Sequence, residues 1–123
     1  MKEDLIEKMI RGFFVVLQKL SGYVTNDDFE GAKLLINEYY SGELIDDFLS
    51  DKVDIKNRKT RQELLFQLDL LYNKLIIQAK NNELHPPFQE QYVQTCNKLL
   101  SGADGLYDYA LQLKLDQIIS LQK

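Results

Sequence analysis

"RQELLFQLDLLYNKLIIQAK", residues 61–80, carries apolar side chains at two interleaved helical spacings. Leu64, Leu65, Leu68, Leu71, Tyr72, Leu75, Ile76 and Ala79 fall on one broad face, and Phe66, Leu70 and Ile77 on another. Residues three or four apart share a helix face, so a helix with two apolar faces must bury both against neighbours. The segment is expected at the centre of its fold. Thr60 followed by Glu63 reads as a capping box, which starts this helix near Arg61.

On the N-terminal side, "SDKVDIKNRKTR" (50–61) has no long apolar period and reads as the main loop. A short helix over Glu43–Leu49 precedes it, presenting Leu44, Ile45, Phe48 and Leu49. Before that, "DDFEGAKLLINEYY" (27–40) is a helix with Phe29, Ala32, Leu35, Ile36 and Tyr39 as its apolar stripe. Thr25 or Asn26 is its expected cap, and Asp27, Asp28 and Glu30 place negative charge at the positive end of the dipole. Ser41-Gly42 stops it. The first helix should run from about Glu3 to Leu20, with Leu5, Ile6, Met9, Ile10, Phe13, Val16, Leu17 and Leu20 inward and Ser21-Gly22 as its end.

On the C-terminal side, Pro86 and Pro87 break the chain and suit the first turn of a helix reaching Leu100, with Phe88, Tyr92, Val93, Cys96, Leu99 and Leu100 inward. "SGADG" (101–105) separates it from a last helix over Leu106–Leu121. No segment gives a convincing period-two strand bounded by turns. The expected fold is all-α: five or six antiparallel helices packed as helical hairpins, TPR-like or a small helical bundle. One domain covers 1–123, with a hairpin region at 1–50, a loop at 50–60, and a central helix and C-terminal hairpin at 61–123. Helices 1, 2 and 4 are expected to supply most of the core.

Composition narrows the chemistry. A chain of 123 residues with 45% hydrophobic content is long enough to bury a core without staples. Its formal charge of -4 weighs against nucleic-acid binding, which rests on clustered Lys and Arg. The single cysteine gives no disulfide framework. The apolar run Phe13–Leu17 is too short for an integral membrane segment, and a cytoplasmic location is the expectation. His85 and Cys96 supply too few ligands for a structural zinc site, and no calcium loop, phosphate loop or di-iron motif is present. The carboxylate pairs Asp27-Asp28 and Asp46-Asp47 read as caps and solvated surface. Neither catalysis, a cofactor nor a metal is expected.

Two features remain. "KNRKTR" puts Lys56, Arg58, Lys59 and Arg61 at the start of the central helix, where positive charge opposes the dipole; an anionic partner or an acidic neighbouring segment would offset that cost. Seven tyrosines accompany no tryptophan. Tyr39-Tyr40 and Tyr107-x-Tyr109 cannot all face one core, since neighbours on a helix diverge by about 100°. Tyr39, Tyr40 and Tyr109, with Lys56, Arg58, Lys59 and Arg61, are the candidate partner-binding residues.

With Phe29 before its second helix, Ala32 where helices touch and Ile36 four residues on, "DDFEGAKLLINEYY" resembles the second half of a tetratricopeptide hairpin. The first forty residues also resemble an uncharacterised bacterial family that pairs an acidic first helix with such a second one. That resemblance implies a helical interaction scaffold and no activity; the expected function is a non-catalytic module for a protein or peptide partner, or for a second copy in a homodimer. "LYNKLIIQAKNNELHPPFQEQ" with "DGLYDY" is similar to bacteriocin immunity proteins, through Tyr72, Asn73, Lys74, Gln78, Ala79, Leu84 and His85. This second resemblance implies a helical bundle that protects the producer cell.

Overall fold

The computed structural model describes residues 2–102 and 109–121, in which every regular element is helical. In chain order these are α1 (Lys2–Thr25), α2 (Phe29–Tyr39), α3 (Glu43–Leu49), α4 (Arg58–Lys80), α5 (Pro86–Leu100) and α6 (Tyr109–Ser120). The fold is all-α. The expected start of the last helix at Leu106, and Tyr107, lie outside the described residues.

α4 is the central helix because its two apolar faces are used separately. Leu64, Leu68, Leu71 and Leu75 join Ile45 and Phe48 of α3, Tyr92, Cys96 and Leu99 of α5, and Leu111, Leu115 and Ile118 of α6 in the larger cluster. Phe66, Leu70 and Ile77 join Leu20 of α1 and Ala32, Leu35 and Ile36 of α2 in the smaller one. The two faces are about 150° apart on a helical wheel. Among the described residues α1, α2 and α4 supply eleven of the nineteen buried apolar residues, as expected, but α4 gives seven of these and α1 only Leu20. α1 adds little because it carries more apolar positions than one face can bury. Leu20 is fully buried, whereas Leu5, Phe14 and Val15 are exposed.

Directions follow from side-chain pairs. Asp69 meets Lys114 and Tyr72 meets Gln117, so α6 runs parallel to α4. Gln89 at the start of α5 donates to the Ile118 carbonyl near the end of α6 (2.7 Å), so these two helices are antiparallel.

Three boundaries differ from expectation for local reasons. α1 does not stop at Ser21-Gly22. It continues to Thr25 because Tyr23 and Val24 still pack on the smaller cluster. Its end is closed by the Asp28 N–H on the Tyr23 carbonyl (2.8 Å) and the Asp27 N–H on that of Val24 (3.1 Å), with Asp27 left-handed at φ 57°. Neither Thr25 nor Asn26 caps α2. Asp28 does, accepting from the Gly31 N–H at 3.1 Å. The loop ends at Asn57, not at residue 60, because the Asn57 side chain accepts from the Thr60 N–H (3.2 Å) and α4 begins at Arg58. Thr60 thus lies inside the first turn. The expected capping box has been displaced by an asparagine three residues earlier.

Candidate functional site

Between the two apolar faces of α4 lie two polar stripes. Gln62, Asp69, Asn73 and Lys80 share one, and Glu63, Gln67, Lys74 and Gln78 the other. The second stripe holds turns in place. Gln67 donates through Nε2 to the Tyr39 carbonyl (3.1 Å) and accepts through Oε1 from the Ser41 N–H (2.8 Å), serving as a backbone mimic at the α2–α3 turn. Gln78 Oε1 accepts from the His85 N–H (3.2 Å) at the α4–α5 turn.

At the N-terminal end of this stripe is a cleft of about 310 Å³ walled by Phe13, Tyr39, Leu44, Phe66, Gln67 and Glu63. Phe13 stacks on Phe66 with centroids 4.1 Å apart, and Tyr39 meets Phe66 edge-on at 6.3 Å. The edge-on contact is the one that suits the aromatic quadrupoles. A second cleft of about 290 Å³ lies further along α1, lined by Leu5, Ile6, Met9, Asn57 and Lys59. Lys59 pairs with Glu63 at 3.5 Å, so the two clefts share a charged rim.

The candidate residues are distributed unequally over this surface. Tyr39 and Lys59 come to it together. Tyr40, the residue after α2, turns inward, half-buried between both clusters; burial, then the nearby Asp46 carboxylate, raises its phenol pKa. Arg58 pairs with Glu7 of α1 at 2.5 Å, so part of the basic run is offset by an acidic segment of the chain itself. Arg61 donates to the Ile55 carbonyl at 3.4 Å. Lys56 is exposed in the loop. Tyr109 is 66% exposed at the start of α6, facing away from the core. Phe13, Phe66, Met9 and Leu5 were not among the candidates. For Leu5, Met9 and Phe13 the signal was the surplus of apolar positions on α1, which spills beyond one face, and for Phe66 it was the second apolar face of α4.

A third cleft, of about 430 Å³, lies between α1 and α6 over the first polar stripe. Phe14, Leu17 and Ser21 wall one side and Lys114 the other, above Asp69 and Tyr72. Lys114 and Asp69 pair at 2.6 Å across its floor. Beneath it, burial raises the Tyr72 phenol pKa, with Lys114 lowering it and Asp69 raising it.

His85 is exposed, its ring 4.6 Å from that of Phe88. Cys96 is fully buried, and burial pushes its thiol up to about 12. No group of three His, Cys, Asp or Glu residues among those described could hold a metal ion. No helix of the described residues is long and apolar enough to cross a membrane. No family model matches the chain, and neither a curated protein nor a solved structure does so.

Proposed function

We propose that the chain is a non-catalytic interaction module that docks an apolar-faced helix of a protein partner along α1. Leu5, Met9 and Phe13 repeat at one-turn spacing, giving a track about 12 Å long. Tyr39, Leu44 and Phe66 continue it. Leu5 is 67% exposed and Tyr39 41%, so the track keeps an open side, while Phe66 anchors it in the smaller cluster. Its rim carries Lys59, Glu63 and Glu43, which would orient a partner without supplying most of its affinity. The α1–α2 hairpin, with Ala32 fully buried where the helices meet, accords with the tetratricopeptide resemblance.

A photo-crosslinking side chain placed at position 5, in cells that make the protein, tests this reading. Leu34, 71% exposed on α2, is the control position. Position 5 should give a discrete adduct that Tyr39→Ala reduces several-fold in a folded variant. If position 34 captures the same proteins in equal yield, or Tyr39→Ala changes nothing, the track is not the docking surface.

A second reading, carried by the sequence resemblance, is a bacteriocin immunity protein, whose helical bundle would be α3 to α6 packed around Tyr92 and Cys96. Expression in a bacteriocin-sensitive strain should then confer survival. Undiminished killing by a panel of bacteriocins counts against it.

A further inference from the structure

Lys74 is a positioned cation that no carboxylate among the described residues pairs with. Its ammonium lies 4.5 Å from the centroid of the Phe88 ring and 5.3 Å from that of Tyr40. The two rings hold the charge by cation–π attraction and leave it uncancelled. Among the described residues neither Lys74 nor Lys33 forms an ion pair, although five other ion pairs are present. Both lysines open onto a cleft of about 200 Å³ between α2 and the C-terminal half of α4. Ile36 and Ile77 supply apolar wall there, while Asn37 and Gln78 bring side-chain amides. Gln78 uses its oxygen on the His85 N–H, which leaves its NH₂ to donate. Glu83 stands among the lining residues as the one carboxylate.

We propose that this cleft binds an organic carboxylate on a short apolar stem. Two ammonium groups against one carboxylate leave a net charge of one, which matches a monoanion better than a phosphate dianion that Glu83 would repel. The carboxylate meets Lys74 and Lys33 with an amide donor beside them, and the stem lies on Ile36 and Ile77. Such a group is offered by a free small carboxylic acid or by the C-terminal residue of a peptide. The site is at the far end of the Glu63–Gln78 stripe from the aromatic cleft and does not depend on the α1 track.

Titration of the isotope-labelled full chain, followed by amide resonances, tests the proposal with three probes: isovalerate, N-acetyl-leucine and N-acetyl-leucinamide. At least one acid should saturate in the millimolar range and shift resonances of residues 33–37 and 74–78, while the amide, lacking only the charge, should not. Lys74→Met keeps an apolar stem against Tyr40 and Phe88, and should weaken that acid by about tenfold, the loss of one charge-assisted hydrogen bond. Isovalerate binding alone identifies a free acid as the ligand type. N-acetyl-leucine binding alone identifies a peptide end. The proposal is overturned if neither acid saturates, if acid and amide bind alike, or if Lys74→Met binds as tightly as the parent.

Discussion

Tyr92 and Cys96 sit one turn apart on α5, both fully buried, and burial acts on both in the same direction. The folded thiol is pushed up to about 12 from 9.0, so above pH 9 the unfolded chain loses a proton that the folded chain keeps. A raised folded value is stabilising below the unfolded one. That contribution is fully present below pH 9 and is lost as pH climbs to about 12. Tyr92, raised from 10.0 for the same reason, adds to the loss at the alkaline end. Cys96→Val should therefore flatten part of the fall in urea midpoint over this window, a difference on the order of a few kcal/mol. The native thiol should also resist an aromatic disulfide reagent until the chain is unfolded. The Tyr92 hydroxyl has no oxygen or nitrogen partner among the described residues, and the weakly accepting thiol is its polar neighbour. Removing an unsatisfied buried hydroxyl relieves its desolvation cost, so Tyr92→Phe should raise stability by about 1 kcal/mol in urea unfolding. A clear loss would mean that the thiol contact is worth more than a weak hydrogen bond. Cys96 was legible in the sequence because it falls on the apolar stripe of its helix. The stranded hydroxyl was not, since periodicity reports which face a ring joins and not what its far end meets.

Helix ends resisted reading from sequence. Asp27, Asp51 and Asn82 take left-handed φ values of 57°, 60° and 56°, each one residue beyond a helix C-cap. In each case the next residue's N–H reaches back to a carbonyl in the last turn, from Asp28 to Tyr23, Lys52 to Asp47 and Glu83 to Gln78. Glycine is the usual residue in this motif, which is why Ser21-Gly22 looked like an end and Asp27 like part of a beginning. Aspartate and asparagine are the side chains that tolerate the conformation best after glycine, and composition does not announce when they do so. Asn82 gives the cleanest test, because Asp27 also pairs with Lys80 and Asp51 with Lys98. Asn82→Ala should cost about 1 kcal/mol through left-handed strain, while Asn82→Gly should retain or slightly exceed parental stability. Thermal melts of the two variants check this. Equal loss in both would point to the asparagine side chain, not the backbone, as what matters. The interlocks between elements were likewise hidden, since Gln67 meets the 39–41 turn and Arg58 meets Glu7 across 26 to 51 residues of chain.

At the scale of the molecule, the central role of α4 was legible because the helix is long enough to repeat each apolar face several times. Leu70 and Leu71 are neighbours in sequence, yet belong to different clusters. The aromatic cleft was legible only in part. The divergence of Tyr39 from Tyr40 places one ring outside and the other within, but Phe13 and Phe66 reach the cleft from elements that no local pattern connects to α2. Both leucines are fully buried, so replacing either with alanine should cost about 3 kcal/mol as a cavity opens. What matters is where that loss is felt. If α4 couples the clusters into one cooperative unit, each substitution lowers a single transition. Slow amide exchange then accelerates in α2, on the smaller cluster, and in α5, on the larger one, for both variants. A helix fixed on two opposite faces transmits the loss of either, because it must leave both neighbours to unfold. Hydrogen exchange read by mass spectrometry separates the alternatives. If Leu71→Ala exposes α5 while α2 keeps its parental protection, and Leu70→Ala does the reverse, the clusters open independently and α4 does not couple them.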